Sequence, residues 1–306
     1  MIDLEEYHPD DYKLRDIKSA KKEVDNIVDI ITTPTEEISL KTREDISKKT
    51  VRNFRDHINK GFLDYRKSVT EATGFAVTEW TGQGSVLVDA LDRQFLDLLG
   101  GFGLYSYGIR HPKIVAAVKS QLDRSPQYSQ EMLDPLRAQL AKILALLTPG
   151  KIQYGFFANS GTEAVDGAMK LAKLYTGKKG FISTLKAFHG KSLGALSLMG
   201  KQVFRKPLLP LLDGIRQAPF GDLNALEQEL KSARAVGDDI AAVVLEPIQG
   251  EAGAIVPPDE YLPGVRELCD HYGVLMICDE VQTGFGRTGE LFGVDHWDVK
   301  PDIMCF

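Results

Sequence analysis

The sequence predicts an α/β domain built on a mostly parallel sheet with helices on both faces. Three observations carry that expectation. From His111 onward, short apolar runs alternate with longer amphipathic stretches. Two of the runs, IAAVVL at 240–245 and VLMIC at 274–278, are apolar at every position, as strands covered on both sides are. Acidic or glycine-rich loops follow such runs directly, and open sheets of this kind bind ligands beyond the carboxyl ends of their strands.

The elements follow in order. Residues 1 to about 70 are charge-rich and expected to be helical, with Lys13, Lys18, Lys21 and Lys22 set among acids. The bland reading, a solvated helical appendage, suffices there. A break follows at Ala72-Thr73-Gly74. Residues 85–99 read as two strands around a turn, and GGFGLYSYG, 100–108, as a glycine-rich loop with aromatics. The domain plan is therefore a helical appendage over 1–75, a strand-and-loop part over 76–110 and a main domain over 111–306.

In the main domain, Ile114, Val115, Val118 and Leu122 make one helical face. A second helix starts at Asp134-Pro135, an N-cap followed by proline at the first helical position. Leu136, Leu140, Ile143, Leu144 and Leu147 line it, and Thr148-Pro149-Gly150 stops it. Strands are then predicted over 152–157, 180–183, 215–219, 240–245 and 274–278, with helices over 162–175, 223–235 and 259–272.

Bulk properties exclude several classes. The chain has 306 residues, 43% apolar and 26% charged, enough apolar surface for a substantial core. A net charge of −6 supplies no field for nucleic acid or an anionic membrane. Cys269, Cys278 and Cys305 show no CxxC spacing and read as buried thiols rather than a disulfide or metal framework. The start, MIDLEEYHPDDYK, is not a signal peptide, and no apolar stretch reaches membrane-spanning length. A cytoplasmic protein without nucleic-acid or membrane partners is expected.

Four loops sit where the chemistry belongs. In FFANSGTEAVDGAMKLA the chain enters a helix through Asn159-Ser160-Gly161-Thr162. Free amides and hydroxyls there form either an anion cup or an ordinary Ser/Thr N-cap. Neither GxxxxGK[ST] nor GxGxxG is present. In KAFHGKSLGALS, Phe188 and His189 are either a stacking aromatic with its neighbour or a core Phe beside a surface His. In VVLEPIQGEAG, Glu246 ends an apolar strand, where a carboxylate is costly unless partnered. In MICDEVQTGFGRTG, Asp279 does the same; it either holds a metal, orients a His or keeps a heterocyclic nitrogen protonated. No His, Cys or carboxylate cluster has metal-ligand spacing, which weakens the metal option. For Glu280 a structural ion pair is the default.

Together the loops suit one flat, phosphorylated ligand with a ring nitrogen, and pyridoxal 5'-phosphate matches. The cup takes the phosphate, Phe188 and Val281 take the two ring faces, and Gln282 bonds the ring hydroxyl oxygen. Asp279 faces the nitrogen and keeps it protonated, so that the ring can absorb electrons.

NSGTEA, AFHGKSLGALS, EPIQGEAG and DEVQTGFGRTG, in this order, resemble the class III pyridoxal-phosphate aminotransferases of fold type I. Each piece is modestly specific and the ordered set highly so. The likeness runs from about Val86 to Phe306. SVTEATGFAVTEW, LDLLGGFG, SQEMLDPLRAQLAKILALLTPGK and FRKPLLPLL resemble the putrescine-acting branch rather than the ornithine or acetylornithine branches. The resemblance implies a phosphate cup of Ser160, Gly161 and Thr162, a stacking Phe188 beside His189, and Asp279 at the ring nitrogen. It further implies ring contacts from Val281 and Gln282, and Glu246 as the acid near the substrate. The Schiff-base lysine of this family follows PDIM-type sequence, so by resemblance it is expected beyond Phe306. The chain is therefore expected to be a C-terminally truncated fragment, inactive by itself.

The activity implied for the full-length enzyme is amino transfer from putrescine to 2-oxoglutarate. The products are glutamate and 4-aminobutanal, which cyclises to 1-pyrroline. A diamine and a 2-oxo acid are the implied substrates, and a homodimer or higher homo-oligomer the implied assembly. Two alternatives stay open. One is a class III aminotransferase for ornithine, acetylornithine or 4-aminobutyrate. The other is a non-catalytic product that pairs with full-length subunits.

Overall fold

The computed structural model describes residues 16–59, 61, 77–125 and 131–306. Lys13 and the break at Ala72-Thr73-Gly74 lie outside the described residues. The chain divides into two compact units. One holds the described residues up to Leu98 together with Tyr107–Val115, and the other holds Leu99–Ser106 and Ala116–Phe306.

The first unit contains helices α1 (Ile17–Thr32) and α2 (Leu40–Asn53). Each starts on a side-chain cap: Ser19 N donates to Asp16 at 3.0 Å, and Thr42 N to Ser39 Oγ at 3.2 Å. A three-stranded antiparallel sheet follows, β1 (Glu79–Gln83), β2 (Val86–Asp89) and β3 (Gln94–Leu96). The strand pair predicted within 85–99 is β2–β3, with Val86 opposite Leu96. Asp89, 1% exposed, closes its turn by accepting from Leu91 N, Arg93 N and Arg93 Nε. Strand β1 has no counterpart in the sequence reading, because EWTGQ carries a glycine and polar residues in place of a clean alternation.

Helix α3 (Pro112–Arg124) crosses the division between the units, and the second unit continues with α4 (Pro135–Leu147). Asp134 caps α4 as expected, accepting from Leu136 N at 2.9 Å and Arg137 N at 3.3 Å. Then come α5 (Gly161–Thr176), β4 (Gly180–Thr184), α6 (Leu193–Leu198), α7 (Gln202–Arg205) and β5 (Ile215–Ala218). The order ends with α8 (Leu223–Val236), β6 (Ile240–Leu245), α9 (Tyr261–Tyr272), β7 (Leu275–Asp279) and β8 (Ile303–Cys305). The sheet runs β5-β4-β6-β7-β8, with every neighbouring pair parallel.

Both faces of this sheet are covered, as the two-sided apolar strands require. On one face Val243 and Leu245 pack with Leu226 and Leu230 of α8 and Leu262 and Val265 of α9. On the other, Ala242 and Val244 pack with Val165 and Met169 of α5 and Leu198 of α6. All six residues of β6 are buried, and each large one contributes on the order of 1.5–3 kcal/mol.

One predicted strand does not form. Residues 152–157 make no ladder with any strand among the described residues, and Tyr154 and Phe156 are 89% and 81% exposed. An apolar run becomes a strand only where a neighbour takes its backbone groups, and no described strand does so here. The predicted faces of α3 and α4 are likewise apolar but exposed, including Val118, Leu136 and Leu140.

Candidate active site

The carboxyl ends of β4, β6 and β7 and the first turn of α5 bring the predicted residues to one end of the sheet. Leu245 and Cys278 are partners across β6–β7, so Glu246 and Asp279 leave the sheet side by side. Both are 4% exposed. Phe188 and His189 come from the loop after β4 and close over them.

His189 and Asp279 form a buried pair. Nδ1 of the imidazole lies 2.8 Å from Asp279 Oδ2, and Val281 N donates to Oδ1 at 3.1 Å. Those contacts use two of the roughly four acceptor positions of the carboxylate. Burial acts to lower the His189 pKa, but the hydrogen bond and charge of Asp279, with the charge of Glu246, outweigh it and leave it raised. His189 is 2% exposed and not a surface residue, and its Nε2 has no hydrogen-bond partner among the described residues.

Glu246 accepts from two loops, Phe188 N at 3.1 Å and Gly250 N at 3.2 Å. Burial pushes its carboxyl up to about 7, helped by the charge of Asp279 and opposed by His189 and by the two amides. Phe188 is half-buried, its ring edge-on to Phe204 at 5.9 Å between centroids.

The turn at 159–162 is an N-cap packed against the loops after β4 and β7. Ser160 Oγ accepts from Glu163 N at 3.4 Å, while Glu163 reaches back to Asn159 N at 2.7 Å. The Thr162 hydroxyl is held 2.7 Å from Ser192 Oγ and accepts from Ser192 N at 3.0 Å. Gly190, at φ 116°, approaches so closely that a Cβ there would lie 2.3 Å from Thr162 Oγ1. At Gly161 a Cβ would lie 2.8 Å from Val281 Cγ1, so the loop after β7 packs directly on the start of α5. Gln282 lies between two glycines: a Cβ at Gly103 would stand 2.9 Å from its Nε2, and one at Gly250 would stand 3.0 Å from its Cγ.

Sequence reasoning missed two contributors, Ser192 and Gln249, and expected the wrong kind of partner for a third, Glu280. Ser192 orients Thr162, and Gln249 ties the Glu246 loop to β4 through Thr184 Oγ1 at 3.0 Å and Leu185 O at 2.9 Å. Glu280 makes no ion pair among the described residues. It is fully buried and accepts from Gly293 N at 2.8 Å, Val294 N at 2.9 Å and the Thr283 hydroxyl. Its pKa is raised by burial, against those hydrogen bonds. The adjacent polar residues of HGKS and EPIQ were the available signals for the first two; the strand-end position marked Glu280 but not its backbone donors.

Known proteins share this arrangement of chain. The Aminotransferase class-III family matches residues 67–306. A thermostable (S)-enantioselective omega-transaminase from Thermomicrobium roseum is 29% identical, with a TM-score of 0.74 over 84% of this chain and 62% of that one. Taurine:2-oxoglutarate aminotransferase from Bifidobacterium kashiwanohense, solved with PLP and glutamate, is 30% identical, with a TM-score of 0.71 over 76% and 56%. Ornithine aminotransferase from Toxoplasma gondii is 29% identical, with a TM-score of 0.68 over 79% and 58%. The chain thus spans less than two thirds of each of these structures. A match over residues 67–306, spanning the whole parallel sheet and the loops at its carboxyl ends, makes this chain a member of the class-III aminotransferase family.

Proposed function

We propose that this chain forms the cofactor-holding part of a pyridoxal 5'-phosphate aminotransferase that moves an amino group from putrescine to 2-oxoglutarate. The observation that carries the cofactor is the buried Asp279: a carboxylate with acceptor capacity left, paired with an imidazole and set beside Val281. Its surroundings fit the group. The first turn of α5, kept open by Gly161, offers backbone amides to a phosphate. Phe188 and Val281 stand for the two ring faces, and the Gln282 side chain stands for the ring oxygen.

When bound, the cofactor supplies an electron sink for the carbon that carries the amino group. The chain's own residues prepare it. Asp279 would hold a proton on the ring nitrogen, and His189, bonded at Nδ1, keeps the carboxylate oriented. Ser192 holds the Thr162 hydroxyl, and Gly190 lets it come close. Glu246, with its proton balanced near neutral pH, is the acid that lets one site admit a diamine in one half-reaction and a dicarboxylate in the other. Of the lysines between β4 and α7, Lys186 and Lys191, in the loop after β4, are exposed, and Lys201, after α6, is paired with Glu251. None of these is assigned as the lysine that carries the cofactor. The chain is proposed to bind pyridoxal 5'-phosphate reversibly.

The putrescine preference rests on the likeness of 68–80, 129–151 and 204–212 to that branch. The similar structures favour a second reading, an ornithine-type or broader ω-amine aminotransferase. A homo-oligomer is proposed for the assembly, on the exposed apolar faces of α3 and α4. Titrating the purified chain with pyridoxal 5'-phosphate tests the cofactor: a saturable visible circular-dichroism signal, lost in Asp279→Ala, is expected. Absence of any saturable signal overturns the reading. Substrate choice is tested on the longest reading frame that contains this chain. Putrescine is offered against ornithine and 4-aminobutyrate with 2-oxoglutarate as acceptor, and 1-pyrroline is trapped; a higher kcat/KM for ornithine sinks the putrescine assignment.

A further inference from the structure

We infer that Glu280 is a positioning residue that latches the loop of residues 281–292 at its base and so sets where Val281 and Gln282 stand. The inference rests on the reading of those two residues as ring contacts. Val281 and Gln282 are themselves exposed, so burial does not hold them. They touch Gly161, Gly103 and Gly250 on one side, and their backbone is held from the ends of the loop, both of which meet at Glu280.

A fully buried carboxylate is costly unless its oxygens are well supplied with donors. Among the described residues Glu280 has three donors and no cation: Gly293 N and Val294 N at the far end of the loop, and the Thr283 hydroxyl at the near end. Its backbone extends the same function. Glu280 N donates to Cys305 O of β8 at 2.7 Å, and its carbonyl accepts from Gly284 N at 2.8 Å. One residue therefore joins the end of β7, both ends of the loop and the neighbouring strand. The space is built for it: a Cβ at Gly293 would stand 3.1 Å from Glu280 Oε2 and 3.0 Å from Thr283 Cβ.

The neighbouring carboxylate, Asp279, engages His189 and Val281 N instead. Successive residues at a strand end point to opposite faces, which allows two adjacent acids to serve two separate networks. Glu280→Gln keeps the shape but replaces one acceptor oxygen with a donor, leaving Gly293 N or Val294 N without a partner.

The test is residue-resolved amide exchange on the whole chain, with binding of pyridoxal 5'-phosphate and of inorganic phosphate measured beside it. In Glu280→Gln, exchange at Val281, Gln282, Gly293 and Val294 is expected to rise about tenfold relative to β6. Pyridoxal 5'-phosphate is expected to bind about fivefold more weakly, with inorganic phosphate binding unchanged because the cup does not involve Glu280. Thr283→Val, which removes one donor, is expected to give the same pattern at smaller size and decides the matter if Glu280→Gln does not fold. Unchanged exchange at Val281 and Gln282, or a rise equal to that of β6, overturns the latch. A changed exchange pattern with unaltered pyridoxal 5'-phosphate affinity overturns its link to the ring contacts. If the wild-type chain binds no pyridoxal 5'-phosphate, the functional reading fails, and the exchange pattern alone still decides the latch.

Discussion

Two regions of the second unit are equally apolar in sequence and opposite in structure. Strand β6 is buried at all six positions between α5 and α6 on one side and α8 and α9 on the other. Helix α4 and the segment 152–157 carry comparable apolar content, yet Leu140, Leu146, Tyr154 and Phe156 are exposed. The difference teaches that a hydrophobic pattern specifies an element or a face, whereas its energetic value depends on what covers it. Covered residues hold this fold together, and uncovered ones are surface offered to something else.

The comparison breaks most sharply with a charge. Val244→Asp places a carboxylate in the middle of the sheet, and at least about 4 kcal/mol of destabilisation is expected, enough to abolish a cooperative thermal transition. A retained transition would mean that β6 is not the centre of the core. Next in size, Leu226→Ala on α8 removes a fully buried side chain and is expected to cost about 2–5 kcal/mol in denaturant unfolding.

The polar rim of the sheet gives a pH effect. The folded Glu246 carboxyl keeps its proton to about 7, whereas the unfolded group releases it near 4.5. Between those values the folded state binds more protons, so stability falls as pH rises, by up to about 3 kcal/mol. His189 adds to the same trend: its raised pKa gives stability that is full below 6.5 and is lost as pH climbs through the folded value. Glu246→Gln is expected to flatten the decline in Tm between pH 5 and pH 7; a slope equal to wild type counts against the raised value. The smallest effect belongs to the uncovered helix. Leu140→Gln on α4 is expected to change stability of the isolated chain by no more than about 0.5 kcal/mol while reducing self-association in sedimentation. A loss comparable to Leu226→Ala would show that this face is covered in solution.

Much of the fold was legible because the deciding signals are local. The strand at 240–245 was read to the residue, and the Asp134-Pro135 start of α4 followed from its cap. The helix and strands that carry Thr162, Glu246 and Asp279 were located within a residue or two. Strand β1 and the unpaired state of 152–157 were not legible, because pairing depends on neighbours distant in sequence. The candidate site divides in the same way. Strand-end placement of Glu246 and Asp279 was readable from the apolar runs before them. That His189 reaches Asp279 across 90 positions, or Ser192 reaches Thr162 across 30, was not.

The sequence by itself determined which segments are strands buried on both faces, where their ends fall and which acids stand at those ends. Each of these depends on side-chain polarity over a few neighbouring residues. Tertiary structure alone decided what each acid meets. Asp279 and Glu280 are adjacent carboxylates at one strand end. One meets an imidazole from the loop after β4, and the other meets two backbone amides and a hydroxyl from its own loop. The pleat turns neighbouring side chains to opposite faces, and what waits on each face is set by chain packing that no short stretch encodes.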